Sequence, residues 1–551
     1  MKQYILFSAA LFACISFYGS KLTAQQLQLH TNYTRLIGGL GYEQINDLLY
    51  DVRDNSLVFT GCAMDSCGTG DLPPCPPVTG RRDLVVGKKD SSRNLVWLRQ
   101  YGGSQDDGGT RIITTEDGGY AVIGSTSSTD GDITSTYGDD VWLVKLDSSG
   151  NLQWQKCYGS VLGAEMGTDL KQTKDGGFIL VGTSSGSGED VPFQYVQSPF
   201  TTDWLVIKTD AVGDISWTKT LGGTGYEEVA FIFETDNSYY LAGFSTSKNY
   251  YCDDTSWHPG VPSEGDYLLV KLDSAGNYLW NRSYGGSLND RLEDAIFDEQ
   301  DTTIVMVGRT ISTDYMVPPY PSTASSASIL AIKARPDGTL VWSKVYGDNS
   351  SESLSYIRKS SIHKGYIISC QAALNTPIPP YYFGGSGDIR IFLTDSAGNQ
   401  LADKIVGGVK GDMSGVAIAT NVGFAVGGAT NSDVFAEGTT SPKHGTNSEA
   451  YISYLYDTPA VNPVLEVDRS TGDLLVYPNP AGDEITVELR SENTNGVLKV
   501  TDAAGREIWR KRVKNRDQSL SIDVSDWQRG VFILHWQDEN ATITTQKLVL
   551  Q

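Results

Sequence analysis

This sequence is short of several things at once, and each shortage excludes something. Methionine occurs 6 times and histidine 5 times in 551 residues. There is no His-Glu-x-x-His pair and no Gly-x-x-x-x-Gly-Lys loop, so the zinc-protease and phosphate-loop signatures are missing. Positive charge is scarce: 43 Lys and Arg face 66 Asp and Glu, a formal net charge of −23. Phosphate backbones and anionic lipid need the opposite balance, which excludes nucleic acid as a partner. None of the seven cysteines forms a Cys-x-x-Cys pair, so there is no zinc pattern. Beyond residue 24 no apolar run approaches the ~20 residues of a spanning helix, and no 3.6-residue periodicity appears.

What is abundant is glycine, at 59 residues, with 29 tyrosines and 11 tryptophans. That mixture favours short strands and tight turns over helices. The chain is too long for one ordinary core, so a repeat array or several domains are expected.

Residues 1–24 read as a secretory signal peptide. Lys2 precedes an apolar run from Tyr4 to Tyr18, and small residues end at Ala24. Cleavage there removes Cys14. Cys62, Cys67 and Cys75 share one Pro- and Gly-rich stretch, and one disulfide among them is expected in an oxidising space. Cys157, Cys252 and Cys370 read as small buried hydrophobes.

One unit recurs seven times at a spacing of about 60 residues. Its mark is Trp154-Gln-Lys156-Cys-Tyr158-Gly159, repeated at Trp97–Gly102, Trp217–Gly222, Trp280–Gly285 and Trp342–Gly347, and more weakly at Ala402–Gly407 and Tyr33–Gly38. An acid follows each closing glycine: Glu43, Asp107, Glu165, Glu227, Asp290, Glu352 and Asp412. A second element, Asp140-Val-Trp-Leu-Val-Lys-Leu-Asp147, has counterparts at Asp83, Asp203, Asp266 and Asp388. Four short strands per unit, here named a to d with d the Trp strand, describe a propeller blade. The last unit has no Trp strand, and a spare one stands at Tyr33–Ile37. The expected fold is all-β: a seven-bladed propeller over 25–457, its last blade completed by the N-terminal strand, then a small β-sandwich. The repeated acids and bases read as ion pairs or turn caps, because structural features repeat whereas ligand sites break symmetry.

The b–c loops are long and differ in every unit. In an antiparallel blade they share one end with the d–a turns, so sequence variety gathers on one face, where the axial channel also opens. Loops on a rigid scaffold are the usual place of recognition. Tyr137, Tyr195, Tyr251, Trp257, Tyr320, Tyr381 and Tyr382 are the candidate binding residues there, since flat rings beside hydrogen-bonding groups suit sugars or a protein surface. No cofactor is expected, although Asp130-Gly131-Asp132 and Asp139-Asp140 are a weak candidate for calcium.

Residues 458–473 read as a linker, and 474–551 change style to an antiparallel sandwich. Tyr477-Pro478-Asn479-Pro480, the turn ending Gly505-Arg506, Gly530-Val-Phe-Ile-Leu534 and Lys547-Leu-Val-Leu550 resemble the type A C-terminal sorting domain of type IX secretion in Bacteroidota. Tyr477, Pro478, Asn479, Pro480, Gly505, Gly530 and Lys547 carry the likeness. It implies passage across the outer membrane, removal of the domain by a sortase-like peptidase, and release or attachment to surface lipopolysaccharide, after the Sec export to the periplasm expected from residues 1–24. Asp273-Ser274-Ala275 and Asp395-Ser396-Ala397 look like Bacteroidota O-glycosylation sites, or equally like plain c–d turns. The overall reading is a monomeric exported binding or adhesion module for glycan or protein, with a polysaccharide hydrolase or lyase as the alternative and catalysis the less favoured of the two.

Overall fold

A computed structural model describes residues 28–38, 41–64, 70–72, 82–134, 136–193, 201–235, 238–249, 265–320, 327–347, 351–373, 387–408, 410–421, 423–432, 448–458, 474–477, 484–489, 495–502, 506–514, 519–527, 530–538 and 543–550. The expected signal peptide, most of the expected linker, Cys67, Cys75, Tyr195, Tyr251, Trp257, Tyr381, Tyr382, Pro478–Pro480 and Gly505 lie outside them. The fold is all-β, and it divides into units Met1–Ala460 and Val461–Gln551.

The first unit holds seven four-stranded antiparallel sheets, propeller-like blades in chain order. Sheet 1 has strands a to d at Tyr42–Asp51, Ser56–Met64, Asp83–Lys89 and Leu95–Tyr101. Sheets 2 to 6 repeat that order, ending at Val406. Sheet 7 takes Asp412–Thr420, Gly423–Thr430 and Glu449–Thr458 from the end of the unit and Gln28–Ile37 from its start. Tyr33 stands opposite Tyr454, so the spare strand fills the missing place.

Strands b and c are buried along most or all of their length, as in Phe178–Ser184 and Asp140–Leu146, because sheets cover them on both faces. Each core is therefore shared by two neighbours. Val58, Leu84 and Trp97 of sheet 1 pack with Ile112, Tyr120 and Trp142 of sheet 2. Ile45, Leu48 and Phe59 of sheet 1 pack with Val416, Ala425 and Ile452 of sheet 7.

The repeated Trp, Tyr and turn glycine form one lock between neighbours. Gly150, at φ +77°, lies so close under Trp97 of the preceding sheet that a Cβ would be 2.7 Å from the ring. Tyr101 Oη donates to Gly150 O at 2.5 Å. Trp154, Tyr158 and Gly213 repeat the arrangement, as do Trp342, Tyr346 and Gly398. Each such hydrogen bond contributes about 1 kcal/mol, beyond the apolar burial of the indole.

The bases two places after the Trp also reach across: Lys156 Nζ is 2.8 Å from Asp214, and Arg35 is 3.3 Å from Asp71. The acids act separately, as turn caps. Glu165 accepts the Ser160 N–H and the hydroxyls of Ser160 and Ser184, and Glu227 accepts the Gly223 N–H and the Ser245 hydroxyl. Asp107 likewise takes Gly103 N–H, Ser128 and Thr126.

Cys62 is a buried free thiol, which removes it from the expected disulfide. Cys370 is buried and Cys157 half-buried, both free.

The second unit has a three-stranded sheet and a four-stranded sheet around Ile485, Leu498, Val500, Leu534 and Trp536. Tyr477, Gly530 and Lys547 lie in its strands, with Ile533 opposite Lys547.

Candidate functional site

Strand a carries a bulge at the same place in every sheet. Pairing jumps from Ile45 to Asp47, Gly109 to Arg111, Gly167 to Asp169, Val229 to Phe231 and Leu292 to Asp294, and it skips two residues after Ser353 and after Met413. A bulge kinks a strand and re-aims the unpaired side chain. Facing each tight bulge is a strand-b glycine. A Cβ on Gly124 would meet Gly108 O at 1.8 Å, and one on Gly243 would meet Glu228 O at 2.1 Å. In sheets 6 and 7 the bulge is wider, with Cys370 at the facing position in one and Gly428 in the other. The glycines recognised in the sequence are thus the partners of the bulges.

The unpaired residues Asn46, Thr110, Thr168, Ala230, Glu293, Leu354 and Ser355 line one cavity of about 610 Å³. It lies toward the b–c and d–a end of the strands, the face that carries the variable loops. Beneath it sits a buried charge cluster. Arg111 reaches Asp294 at 2.8 Å, Asp169 at 3.3 Å and Asp47 at 3.8 Å. Arg358 reaches Asp47 at 2.5 Å and Asp294 at 2.6 Å. Each of the three carboxylates also accepts a backbone N–H from a neighbouring sheet, of Ile112, Ile232 and Ile357 respectively for Asp47, Asp169 and Asp294. Burial works against both charges. It is outweighed: the carboxylates hold Arg111 above its ordinary pKa, and the two guanidiniums hold Asp294 below its own. Removing one partner would leave an uncompensated buried charge, at about 3–5 kcal/mol.

The cavity wall is polar. Tyr226 and Arg291 both donate to Glu228. Glu293 Oε2 accepts the N–H and the hydroxyl of Ser355 at 2.7 and 2.8 Å, while Arg309 stands 3.8 Å from Oε1. Burial pushes the Glu293 carboxyl above the usual range, against the Ser355 bonds and Arg309. Arginine, amide, hydroxyl and carboxyl groups in one concavity can bind a polyhydroxylated or peptidic ligand.

Of the candidate binding residues that are described, Tyr137 is exposed on this face. Tyr320 packs against the core shared by sheets 4 and 5 and donates to Thr310 O, so it anchors its loop. Asp130 and Asp132 accept the N–H groups of Ser104 and Gly102, and Asp140 accepts those of Tyr137 and the Thr136 hydroxyl. Among the described residues no group of three or more His, Cys, Asp or Glu could hold a metal ion. Gly182-Thr183-Ser184-Ser185-Gly186 fits a Gly-x-Ser-x-Gly pattern, but Ser184 is buried at a strand end and bonded to Glu165. Asp273 and Asp395 cap their c–d turns, accepting N–H groups from Ala275 and Ala397, with Ser274 and Ser396 exposed.

The bulged positions and the central ion cluster were not read from the sequence. One signal was available. Aligned on the closing glycine, this stretch of strand a is the place inside the repeat where Asp, Arg, Phe, Thr, Glu and Ala interchange.

Residues 475–551 match the family described as the secretion system C-terminal sorting domain. This tail belongs to type IX secretion; it directs export to the cell surface or extracellular space and implies contact with that machinery. No helix among the described residues is long and apolar enough to cross a membrane. The regulatory protein FlaEY of Caulobacter vibrioides is 24% identical over 382 residues, 67% of this chain and 33% of that protein. The chain thus spans about a third of the length of the curated relative it matches. Among solved structures, Synechocystis apocarotenoid oxygenase aligns at TM-score 0.33 and 12% identity, over 69% of this chain and 96% of that one. The lignostilbene dioxygenase of Pseudomonas brassicacearum aligns at TM-score 0.35 and 11% identity, over 74% and 86%.

Proposed function

We propose that residues 25–457 form a closed seven-bladed propeller that acts at the cell surface or outside the cell as a binding module. In this reading the b–c face engages glycan or protein, and the cavity at the centre of that face is its recognition pocket. Residues 1–24 serve as the export signal of a bacterium of the Bacteroidota, and a sortase-like peptidase removes 474–551. One observation carries the reading. The repeat is regular in its locks and caps, yet at the bulged positions six of the seven sheets bring an assortment, Asn46, Thr110, Thr168, Ala230, Glu293 and the pair Leu354 and Ser355, to one cavity. Symmetry kept for packing and broken at a concave surface is what a ligand site requires.

The test is binding of the purified propeller to glycan and peptide arrays, repeated with Arg309→Ala. Arginines in buried recognition pockets commonly contribute about 2 kcal/mol. A captured ligand should therefore bind roughly 30-fold more weakly to the variant. Undiminished binding would remove the pocket from the proposal.

A second reading has one specific observation behind it. Glu228 and Glu293 share the cavity, and burial raises the Glu293 carboxyl. Two carboxyl groups in one cavity, one of them pushed up by burial, are the kind of pair that glycoside hydrolysis uses. Release of new reducing ends from a polysaccharide, abolished in Glu293→Gln, would establish that activity.

A further inference from the structure

Four segments meet on one sector of the b–c face and leave a row of apolar side chains in water. The b–c loop of sheet 2 contributes Tyr137, the turn from sheet 2 to sheet 3 contributes Val161 and Leu162, strand a of sheet 3 contributes Met166, and the b–c loop of sheet 3 contributes Phe193. Leu162 is 85% exposed, Val161 59% and Met166 58%. These segments are joined by backbone. Gly159 O accepts the Asp190 N–H at 3.2 Å, and Glu189 Oε2 accepts the Val161 N–H at 3.1 Å. Gly163 and Gly186 approach so closely that a Cβ on Gly163 would sit 2.3 Å from the Gly186 Cα.

The row is therefore a built ridge. It is rigid at its base, because Glu165 and Val191 beneath it are fully buried. Nothing in the packing of the sheets needs Leu162 or Met166 outside. Isolated exposed apolar residues are ordinary, but a contiguous group marks an interaction surface.

Two features select the partner. The three most exposed groups, Leu162, Val161 and Met166, are two aliphatic chains and a thioether. They offer no hydrogen bond to sugar hydroxyls, and they suit the side chains of another polypeptide, to which methionine adapts well. The flank is acidic: Glu189, Asp190 and Asp139 stand beside the ridge, and the negative charge of Asp190 is the main cause that holds the Tyr137 phenol above its ordinary pKa. Charge of one sign beside an apolar strip calls for the opposite sign on the partner. Met166 also lines the central cavity, so ridge and pocket are continuous.

We infer that the ridge of Tyr137, Val161, Leu162, Met166 and Phe193 docks a polypeptide segment in which apolar side chains alternate with lysine or arginine. This rests on the reading of the b–c face as the binding face, and it names one partner class for it.

The experiment uses the purified full chain and three fluorescein-labelled peptides, alternating Lys-Leu, Lys-Ser and Glu-Leu, read by fluorescence anisotropy. The Lys-Leu peptide should bind at least tenfold more tightly than either of the others. Leu162→Ser, which leaves net charge unchanged, should weaken it about tenfold, and so should the pair Glu189→Gln and Asp190→Asn. Neutralising two exposed acids at the a–b end, Glu116→Gln and Glu299→Gln, serves as the charge-matched control and should have an effect under twofold. Equal losses in all variants would mean that the peptide reads only the overall charge of −23, and would overturn the inference. Binding unchanged by Leu162→Ser would overturn it as well. A glycan whose binding is lost in Arg309→Ala, with no preference for Lys-Leu peptide, would sink the ridge while leaving the proposed pocket intact.

Discussion

At the scale of single residues, the clearest anomaly is Lys89. It is the last residue of strand c in sheet 1, fully buried, and its Nζ has no hydrogen-bond partner among the described residues. The same position holds Leu146, Leu272 and Ala334 in other sheets, all buried apolar residues. Burial pushes the Lys89 ammonium down to about 8. An unfolded lysine titrates near 10.4, so between those values the unfolded chain holds a proton that the folded chain has lost. Stability therefore climbs as pH rises through that window. Below pH 8 the buried charge costs about 3 kcal/mol. Lys89→Met should accordingly gain about 1–3 kcal/mol at pH 7 in urea unfolding, and the gain should shrink by pH 10. No gain at pH 7 would show that the ammonium has a partner after all. Lys89 was legible as part of a repeated strand, but not as a buried charge, because its neighbour Lys88 occupies the repeat's conserved-looking place and bonds Asp54 and Tyr120 as a lysine should.

At the scale of elements, the turns between sheets carry paired acids. Next to Gly285, a Cβ would lie 2.6 Å from an oxygen of Asp266 and 2.6 Å from one of Asp290. Gly102, Gly159, Gly222 and Gly407 sit in the same way between Asp83 and Asp107, Asp140 and Glu165, Asp203 and Glu227, and Asp388 and Asp412. Glycine at these points leaves room for two carboxyl groups. Burial, reinforced by the charge of Asp266, pushes Asp290 up to about 7 against hydrogen bonds from Thr310, Gly286 and Ser312. Asp107, Asp140 and Glu165 are raised too, chiefly by burial. The acidic groups facing Asp290 are Asp266 and the Tyr267 phenol. A raised carboxyl pKa means that the folded state keeps a proton the unfolded state has released. That stability is complete below about pH 4 and is lost as pH rises to about 7, on the order of 4 kcal/mol for Asp290 alone. Asp266→Asn should therefore raise the melting temperature clearly at pH 8 and little at pH 5. An equal shift at both values would rule out the shared charge. The turn from sheet 5 to sheet 6 has another solution: Ser328 stands at the strand-c position of sheet 5, and Arg390 Nη1 of sheet 6 bonds Glu352 at 3.0 Å. Sequence repetition identified the acids as structural caps. Their pairing across a glycine was invisible, because the partners are about 24 residues apart and meet only when strands c and d fold back.

At the scale of the molecule, sheet 7 is completed by Gln28–Ile37 lying beside Glu449–Thr458. Thr34 and Ser453 hydroxyls bond at 2.7 Å inside that pair, and Leu36 is fully buried. Deleting residues 28–37 would expose the edge of strand c in sheet 7 and uncover apolar groups of the core shared with sheet 1. The expected result is loss of soluble folded protein, or oligomers joined at the open edge, seen by size-exclusion chromatography. A monomer with unchanged melting would show that the strand contributes nothing. Adding the segment back as a peptide should restore the monomer, which separates the clasp from any general misfolding.

The sequence by itself determined the number of units, the four strands in each, the clasp between the two ends and the sorting tail. All of these are written in residues that repeat or in motifs of fixed spacing, and such patterns report local hydrogen bonding and alternation directly. Only the tertiary structure decided which residues form the pocket. A bulge shifts pairing by one residue and turns side chains inward from separate sheets, so Asn46, Thr110, Thr168 and Glu293 share a cavity that no local pattern connects. The same holds for Arg111 among Asp47, Asp169 and Asp294: their charges are ordinary in one dimension, and burial at a common centre is what makes them a unit.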